Sequence, residues 1–403
     1  MFRVIQKTAV IAILAASLIP AQAEEDLAAG FANPPQAAKP WVYWFWLNGN
    51  ITKEGITADL EAMQRAGIGG VLIMEVDQGV PVGPVDFMGA QWRELFKFMV
   101  AEASRCGIEV NMNNDAGWNG SGGPWITPEL SMQKVVWSEM DIEGPQHFEG
   151  ALPQPETIAG YYRDIAMLAF PTPGPYRIEN VENKACYKSS FVPPAIAPEV
   201  PVEMTIPKDK IIELTAQMKS DGSIAWDAPA GKWTIMRFGH TSTGVENAPA
   251  PATGRGLECD KLSKEGIEAN FNGMMGKLIA DVGEQAGKAL IATHIDSWEN
   301  GAQNWTAKMR QEFQERRGYD LLPFMPAFSG RVVESLDISE RFLWDLRQTV
   351  SDLLVENYAE HMQTLAHQHG LRFTVEAYGG PCFDLPYAGR SDEPMGEFWI
   401  GGS

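Results

Sequence analysis

Carboxylate, amide and aromatic side chains follow nearly every apolar run of this acidic sequence. Glu299 and Glu376 each come just after such a run, and Glu397 lies close to the last residue. Two carboxyl groups can cleave a glycosidic bond, because one protonates the leaving oxygen while the other activates water or attacks the sugar carbon. Rings such as those of Trp118 and Tyr378 occur at the same places and can stack on the apolar faces of sugars. Together these residue types indicate a carbohydrate-cleaving site.

The elements that must position these residues alternate between strand and helix patterns. Strand-like apolar runs occupy 41–46, 70–75, 108–113, 289–295 and 372–375. Helical spacing occupies the stretch between Thr52, an N-cap, and Gly67, and also 91–106, 263–286, 303–317 and 336–369. Such βαβ alternation is typical of a parallel sheet, and barrel enzymes carry their functional groups at the carboxyl ends of the strands. The sequence therefore predicts an α/β fold of the (β/α)₈ TIM-barrel type.

One stretch interrupts the alternation. Residues 141–232 are rich in Pro and Gly and contain only short β-like runs, which predicts a small β-rich insertion. The insertion would separate two parts of the barrel, at 24–140 and 233–403. The chain stops at Ser403, where a strand should lead into a loop. We therefore expect the barrel to be incomplete at its C-terminus.

The first 23 residues have the pattern of an export signal. Arg3 and Lys7 form a positive region before an apolar run over 8–20, and Ala21-Gln22-Ala23 has the small-x-small form of a cleavage site. The apolar run is too short to cross a bilayer. This pattern predicts a signal peptide of bacterial Sec type at 1–23 and a periplasmic or secreted protein with no membrane anchor after cleavage.

Charge and motif content exclude several other functions. A net charge of −20 disfavours nucleic acid and anionic membrane surfaces as partners. The glycine-rich residues 117–123 lack the GxxxxGK[ST] pattern of a phosphate-binding loop. The four cysteines, Cys106, Cys186, Cys259 and Cys382, contain no CxxC pair, so a zinc site is not indicated. Three disulfide pairings and a set of buried free thiols all remain open.

Several long sequence motifs resemble those of glycoside hydrolase family 106, the α-L-rhamnosidases. They are WLNGNITKEGIT at 46–57, NNDAGW at 113–118, GGPWIT at 122–127 with Met132, GLECDK at 256–261, HIDSWE at 294–299, EAY at 376–378 and PMGEFW at 394–399. They occur in order over roughly 30–400, which is far more specific than one short motif. The resemblance implies a barrel catalytic domain, an inverting mechanism with two glutamates, a calcium ion that helps to hold rhamnose, and further C-terminal β-sandwich domains beyond this chain.

Site roles carried over from the resemblance rest on position along the chain. Glu299 is assigned as general acid and Glu376 as general base, with Glu397 in reserve for either role. Calcium needs hard oxygen ligands, and the candidates for these are Glu75, Asp115 and Asp296. The residues expected to line the sugar pocket are Trp46, Asn48, Trp118, His240 and Tyr378. Any one of the carboxylates could instead cap a helix, and His294 could be a hydrogen-bonded core residue.

Two other functions remain open from the sequence. The first is a glycosidase of other sugar specificity on the same scaffold, and the second is a carbohydrate-binding protein without activity. For the rhamnosidase function that the resemblance implies, the expected partner is a rhamnose-containing oligosaccharide, polysaccharide or glycoside.

Overall fold

The computed structural model describes residues 27–189, 199–398 and 400, so the predicted signal peptide lies outside the described residues. The strands are β1 (Trp41–Leu47), β2 (Gly70–Val76), β3 (Glu109–Ala116), β4 (Gln133–Ala151), β5 (Tyr162–Pro171), β6 (Thr205–Ile206), β7 (Ile212–Glu213), β8 (Ser223–Ser242), β9 (Leu290–Ile295), β10 (Val332–Val333), β11 (Arg372–Glu376) and β12 (Glu393–Met395). The α-helices are α1 (Leu27–Ala32), α2 (Lys53–Arg65), α3 (Ala90–Cys106), α4 (Val181–Lys184), α5 (Lys264–Gly273), α6 (Met275–Val282), α7 (Met309–Arg317), α8 (Leu336–Leu353), α9 (His361–Gln368) and α10 (Asp384–Ala388).

Six parallel strands form the central sheet, in the order β1-β2-β3-β9-β11-β12. The predicted α/β class is confirmed, whereas a closed barrel of eight strands is not found among the described residues. The sheet is nevertheless strongly curled. The hydroxyl of Tyr43 in β1 lies 2.5 Å from the carboxylate of Glu376 in β11. In a flat sheet, four strand spacings would hold these strands about 19 Å apart.

Strand β1 shows how alternation divides one aromatic run between two environments. Trp44 and Trp46 point into the core, where the Trp46 ring meets Trp92 of α3 edge-on at 5.4 Å. Tyr43 and Phe45 point to the opposite face and stay 40% and 46% exposed. Successive side chains of a strand point to opposite faces, so the concave face of the sheet receives two aromatic rings from β1.

A second, antiparallel sheet has the order β4-β8-β5-β7. Its strand pairing runs from Gln133 opposite Ser242 to Ala151 opposite Ser223. The sheet therefore extends beyond the predicted insertion, 141–232, at both ends. It has an apolar cluster of its own, which includes Met167, Trp226 and Ile235. The division of the chain into domains stays a prediction.

Three predicted helices are shorter or more broken than their apolar spacing indicates. The 263–286 segment is interrupted at Met274, whose φ of −124° and ψ of −75° are not helical. Helix α7 begins only at Met309, because the preceding residues pair with β4; the Asn304 amide donates to the Gln133 carbonyl at 3.2 Å. A π-helical turn over Leu354–Glu360 separates α8 from α9.

Two further features bear on the predictions from composition. None of the helices in the described ranges is long and apolar enough to cross a membrane. All four cysteines are free thiols; Cys106, Cys186 and Cys259 are buried and Cys382 is partly exposed. The open question of disulfide pairing is thus answered by free thiols in this structure.

The first helix after β1 offers a direct test of local sequence signals. The Thr52 hydroxyl accepts the Gly55 amide at 3.1 Å, as an N-cap does. We expect Thr52→Ala to lower the free energy of unfolding by about 1 kcal/mol, since the first turn loses this acceptor. Urea denaturation followed by circular dichroism measures the change.

A matched control exists in Thr127, which also precedes a helical turn but makes no capping hydrogen bond. Thr127→Ala should change the free energy of unfolding by less than about 0.5 kcal/mol. Equal losses in the two variants would show that the Thr52 cap does not stabilise the fold.

Candidate active site

Glu376 ends β11 and occupies the middle of a carboxylate cluster on the concave face of the sheet. Its Oε1 accepts the Tyr43 hydroxyl at 2.5 Å and its Oε2 accepts the Tyr378 hydroxyl at 2.8 Å. Tyr43 comes from β1 and Tyr378 from the loop after β11, so the curl of the sheet assembles the group. Only 3% of Glu376 is exposed.

The Tyr378 hydroxyl lies between two carboxylates. It is 2.8 Å from Glu376 Oε2 and 2.9 Å from Glu397 Oε2. These two carboxylate oxygens therefore lie within about 6 Å of each other, the most that two consecutive hydrogen bonds can span. The hydroxyl has one proton and can donate it to only one of them at a time. Tyr378 thus couples the protonation of Glu376 to that of Glu397.

Asp296 and Glu376 share a buried environment that favours a proton. Burial raises the pKa of Glu376, and the neighbouring Asp296 charge raises it further, against the hydrogen bond from Tyr43. Burial also raises the pKa of Asp296 to about 6, with contributions from the charges of Glu397 and Glu299. Two carboxyl groups this close do not both ionise readily. The pair therefore retains a proton in a pH range where an isolated carboxyl group is ionised.

His294 lies beneath this pair and is neutral. Burial lowers the pKa of His294 to about 4. Its Nδ1 is 2.7 Å from Thr374 Oγ1, which also accepts the Asn111 side-chain amide at 2.8 Å. The Thr374 proton can then go to Nδ1, which leaves the ring proton on Nε2, 3.7 Å from Asp296 Oδ1. We assign this tautomer from the hydrogen-bond network.

An open cleft of about 340 Å³ gives access to the cluster. It is lined by Tyr43, Phe45, Met74, Trp118, Asp296, Ser297, Glu299 and Glu397. The Phe45 and Trp118 rings meet edge-on with centroids 5.7 Å apart and form an aromatic wall. Among the residues that the structure describes, neither Lys nor Arg lines this cleft. The cleft therefore suits an uncharged ligand with apolar faces and several hydroxyl groups.

Asp115 fixes the loop that carries Trp118. Its carboxylate accepts the backbone amides of Gly120, Ser121 and Gly122 at 2.9–3.0 Å, and the Asn113 side-chain amide at 3.1 Å. A carboxylate that receives successive amides in this way closes a tight loop. Asp115 is a structural anchor of the aromatic wall.

Glu258 joins this loop to two others inside the protein. The Glu258 carboxylate is fully buried and accepts from Asn119 at 2.7 Å, Ser121 at 2.7 Å and Asn300 at 3.0 Å. It also pairs with the buried Lys261 ammonium at 2.8 Å. Burial alone would raise the pKa of Glu258, but Lys261 and these hydrogen bonds hold it below its usual range.

Lys261 also contacts the inner wall of the cleft. Its ammonium lies 5.4 Å from the Trp298 ring centroid and 5.9 Å from that of Tyr358. Both rings line the narrow inner end of the site together with Asp296 and Glu376. One buried ion pair therefore supports the Trp118 loop on one side and the Trp298 wall on the other.

The three predicted calcium ligands do not form a common site. Glu75 accepts the Gly49 amide at 3.2 Å and the Trp92 indole at 3.0 Å, and its burial raises its pKa to about 7. Asp115 is saturated by amides, and Asp296 lies beside Glu376. Among the described residues there is no group of three or more His, Cys, Asp or Glu side chains that could hold a metal. As placed in this structure, Glu75, Asp115 and Asp296 do not fit a shared calcium ion.

The predicted sugar-binding residues divide into two groups. Trp118 and Tyr378 line the site. Trp46 is instead in the core, with 2% exposure, because its strand position faces the helices. Asn48 is buried and donates to the Val80 carbonyl at 2.7 Å. His240 lies in β8, where its Nδ1 is 2.7 Å from the Gln133 side chain.

Tyr43 and Phe45 are the site residues that sequence reasoning missed. The signal was present in the alternation of the run WVYWFW, since exposed and buried rings must alternate along a strand. Of the predicted catalytic residues, Glu376 and Glu397 are joined through Tyr378, and Glu299 lines the same cleft as Glu397.

Comparisons with known proteins agree with this carbohydrate-site geometry. The glycoside hydrolase 106 family model, described as alpha-L-rhamnosidase, matches residues 32–175 and 170–403. The chain is 43% identical over 381 residues to "Putative beta-glucuronidase" of Formosa agariphila, covering 94% of this chain and 33% of that protein. It superposes on the solved structure of rhamnosidase from Novosphingobium sp. PP1Y with a TM-score of 0.80 and 25% identity, over 92% of this chain and 49% of that one. The chain thus spans about a third to a half of the length of these two proteins.

The buried ion pair provides a test of what holds the site together. We expect Lys261→Met to lower the free energy of unfolding by about 3–5 kcal/mol, because it leaves the Glu258 charge buried without its cation. The double variant Glu258→Gln/Lys261→Met removes both charges and should lose less stability than the single one. Chemical denaturation of both proteins measures the difference.

Lys277→Met is the control, since Lys277 is exposed on α6 and forms no ion pair with a described residue. It should change the free energy of unfolding by less than about 0.5 kcal/mol. If Lys261→Met lowered the free energy of unfolding by as little as this, the Glu258–Lys261 pair would not anchor the site.

Proposed function

The chain belongs to glycoside hydrolase family 106, the alpha-L-rhamnosidases, and from that premise we propose that it hydrolyses terminal α-L-rhamnosyl groups of glycans or glycosides. The observation that carries the proposal is the Glu376–Asp296 carboxyl pair, which retains a proton at the inner end of an aromatic cleft. Residues 1–23 support export to the periplasm or the exterior as part of the same proposal.

Glu376 is the general acid of the proposed reaction. Protonation of the glycosidic oxygen requires a carboxyl group that stays protonated at the working pH, and burial beside Asp296 favours that state. The proton moves from Glu376 to the leaving oxygen as the bond from that oxygen to the anomeric carbon breaks. This order of roles reverses the one inferred from chain position, because burial rather than sequence order decides which carboxyl group keeps its proton.

Glu299 is the general base of the same reaction. It takes a proton from a water molecule, whose oxygen forms the new bond to the anomeric carbon on the opposite face of the ring. An inverting enzyme holds its carboxyl groups about 6.5–9.5 Å apart to leave room for this water. Glu397 Oε2 lies within about 6 Å of Glu376 Oε2, since both bond the Tyr378 hydroxyl, and this distance is below that range. Glu397 instead modulates the proton affinity of Glu376 through Tyr378.

The charge of the cleft supports a neutral sugar over an acidic one. Asp296, Glu299 and Glu397 line the cleft, Glu376 lies at its inner end, and no Lys or Arg of the described chain lines it. A hexuronate would bring another carboxylate into this group, which like charges disfavour. Rhamnose carries no charge and presents a methyl group to the Phe45 and Trp118 rings. The relative named as a β-glucuronidase keeps a glycosidase of other specificity as the second candidate.

Hydrolysis of p-nitrophenyl α-L-rhamnopyranoside by the full-length protein tests the assignment. We expect Glu376→Gln and Glu299→Gln each to lower kcat/KM by at least about a hundredfold, because each removes a proton-transfer group. Glu397→Gln should lower kcat/KM by less than about tenfold, since Glu397 acts only through Tyr378. Proton NMR of the first-formed sugar should show the β anomer.

Glu284→Gln is the control for these variants, because Glu284 is exposed and lies outside the cleft. A large loss in Glu397→Gln, little loss in Glu299→Gln and an α-anomeric product would move the second role to Glu397 and make the enzyme retaining. Hydrolysis of the corresponding β-glucuronide, with the rhamnoside left intact, would favour the second candidate.

The pH dependence separates the acid from the base. The neighbouring Asp296 charge raises the pKa of Glu376, so removing that charge in Asp296→Asn lowers this pKa. A general acid of lower pKa loses its proton at lower pH. We therefore expect the alkaline limb of the kcat/KM profile to move to lower pH in Asp296→Asn. Asp337→Asn, on the exposed surface of α8, should leave the profile unchanged. An unmoved or higher alkaline limb in Asp296→Asn would exclude Glu376 as the acid.

A further inference from the structure

A second cavity lies on the other side of the loop that follows Glu376. Its volume is about 140 Å³. Gly380 and Cys382 line both this cavity and the narrow inner end of the candidate active site. The second cavity and the inner end of the candidate active site are therefore adjacent, with this loop between them.

Arg347 lines this cavity and forms no ion pair with a described residue. Its Nη1 donates to the Lys184 carbonyl at 2.8 Å, and its Nε and Nη2 donate to no other described residue. Glu340 acts on Arg347 through space, but the Glu340 carboxylate is bonded to Lys184 Nζ at 2.5 Å. The other cation of the cavity, Lys188, is paired with Glu182. Most of the guanidinium fork thus faces the cavity without a carboxylate partner in the described chain.

The surroundings of Arg347 suit a sugar ring. Trp344 and Phe383 line the cavity and are 39% and 49% exposed. The Arg347 guanidinium lies over one face of the Trp344 ring, 5.6 Å from its centroid. The Gln348 side chain also lines the cavity and forms no hydrogen bond with a described residue. A flat ring, an amide and an unpaired guanidinium together match a sugar that carries an acidic group.

We propose that this cavity is a binding subsite for an acidic sugar of the glycan. The Arg347 fork binds the oxyanion, a uronate carboxylate or a sulfate ester, and Trp344 stacks on the sugar ring. Arg presents parallel N–H donors that match such oxyanions bidentately. The proposal rests on the proposed function only in joining this sugar to the one that is cleaved.

Binding of small acidic sugars to the full-length protein tests the subsite. Isothermal titration with D-glucuronate, D-glucose 6-sulfate and D-glucose separates carboxylate, sulfate and neutral ring. We expect an acidic sugar to bind and D-glucose not to. Arg347→Gln should weaken that binding by at least about tenfold, the usual cost of a lost charge-assisted hydrogen bond. Arg347→Lys, which keeps the charge without the fork, should recover only part of it, and Trp344→Ala should also weaken it.

Arg163→Gln is the matched control. Arg163 also lies over an aromatic ring, at 4.8 Å from the Tyr161 centroid, and its Nη1 donates to a backbone carbonyl, but it is exposed and lies outside this cavity. The Arg163→Gln variant should bind the acidic sugars with the same affinity as the unaltered protein. Tighter binding of the sulfate ester than of the glucuronate supports the subsite with sulfate as the oxyanion, and the reverse order supports it with a uronate.

Hydrolysis of p-nitrophenyl α-L-rhamnopyranoside distinguishes the two proposals, because this substrate has no acidic sugar. Arg347→Gln should hydrolyse it at the unaltered rate. Acidic-sugar binding that depends on Arg347, in a protein that does not cleave the rhamnoside, would keep the subsite and reject the proposed activity. Equal binding by the unaltered protein and Arg347→Gln, or no binding of either acidic sugar, would overturn the subsite.

Discussion

The ion pair between Glu258 and Lys261 is the constraint on which the site depends. Both side chains are fully buried and 2.8 Å apart, and the buried Asp115 carboxylate lies close enough to act on Glu258. Moving charges out of water is costly unless each finds its partners. The loops around these charges have little regular secondary structure. Their backbone amides and polar side chains are therefore free to donate hydrogen bonds to the Glu258 and Asp115 carboxylates. The arrangement that satisfies these charges in this structure places Trp118 and Trp298 at the candidate site.

The curl of the parallel sheet supplies the second requirement. It brings Tyr43 of the first strand to Glu376 of the fifth. Beneath that contact the concave face is polar, with Asn111, His294 and Thr374 linked by hydrogen bonds. A polar interior is less adaptable than an apolar one, because its donors and acceptors must stay matched. Glu376 therefore lies next to a hydrogen-bonded network on the concave face of the sheet. The strands position its backbone, and Tyr43 and Tyr378 hold its carboxylate by hydrogen bonds.

The sequence predicted the elements better than the roles of their residues. Five of the six strands of the central sheet and the Thr52 cap could be read from apolar runs and capping chemistry, which act over a few residues, whereas the short strand β12 was not predicted. The roles of Glu75 and Asp115 depend on their hydrogen-bond partners in the folded chain. Glu75 accepts the Trp92 indole and Asp115 accepts backbone amides at 120–122, and no local sequence pattern reveals either contact. The expectation that Trp46 lines the sugar pocket fails because an aromatic run does not by itself show which alternate rings of β1 face the core. The helix break at Met274 and the π-helical turn at 354–360 do not interrupt the helical spacing of apolar residues. They change only the backbone geometry, so the sequence pattern does not reveal them.

The two cavities have opposite electrostatics, and this bears on how a substrate is oriented. The cleft is lined by carboxyl groups without a described Lys or Arg, while the second cavity presents a guanidinium without a carboxylate partner. An acidic sugar is repelled from the first and attracted to the second, whereas a neutral deoxy sugar is tolerated in the first. On the proposed function and the proposed subsite, a glycan with both kinds of sugar would bind preferentially in one direction. Specificity of this kind needs no close fit around the cleaved sugar, since the unfavourable arrangement is rejected by charge. In the proposed subsite the acidic sugar would lie across the loop after Glu376, near the carboxyl group proposed to protonate the leaving oxygen.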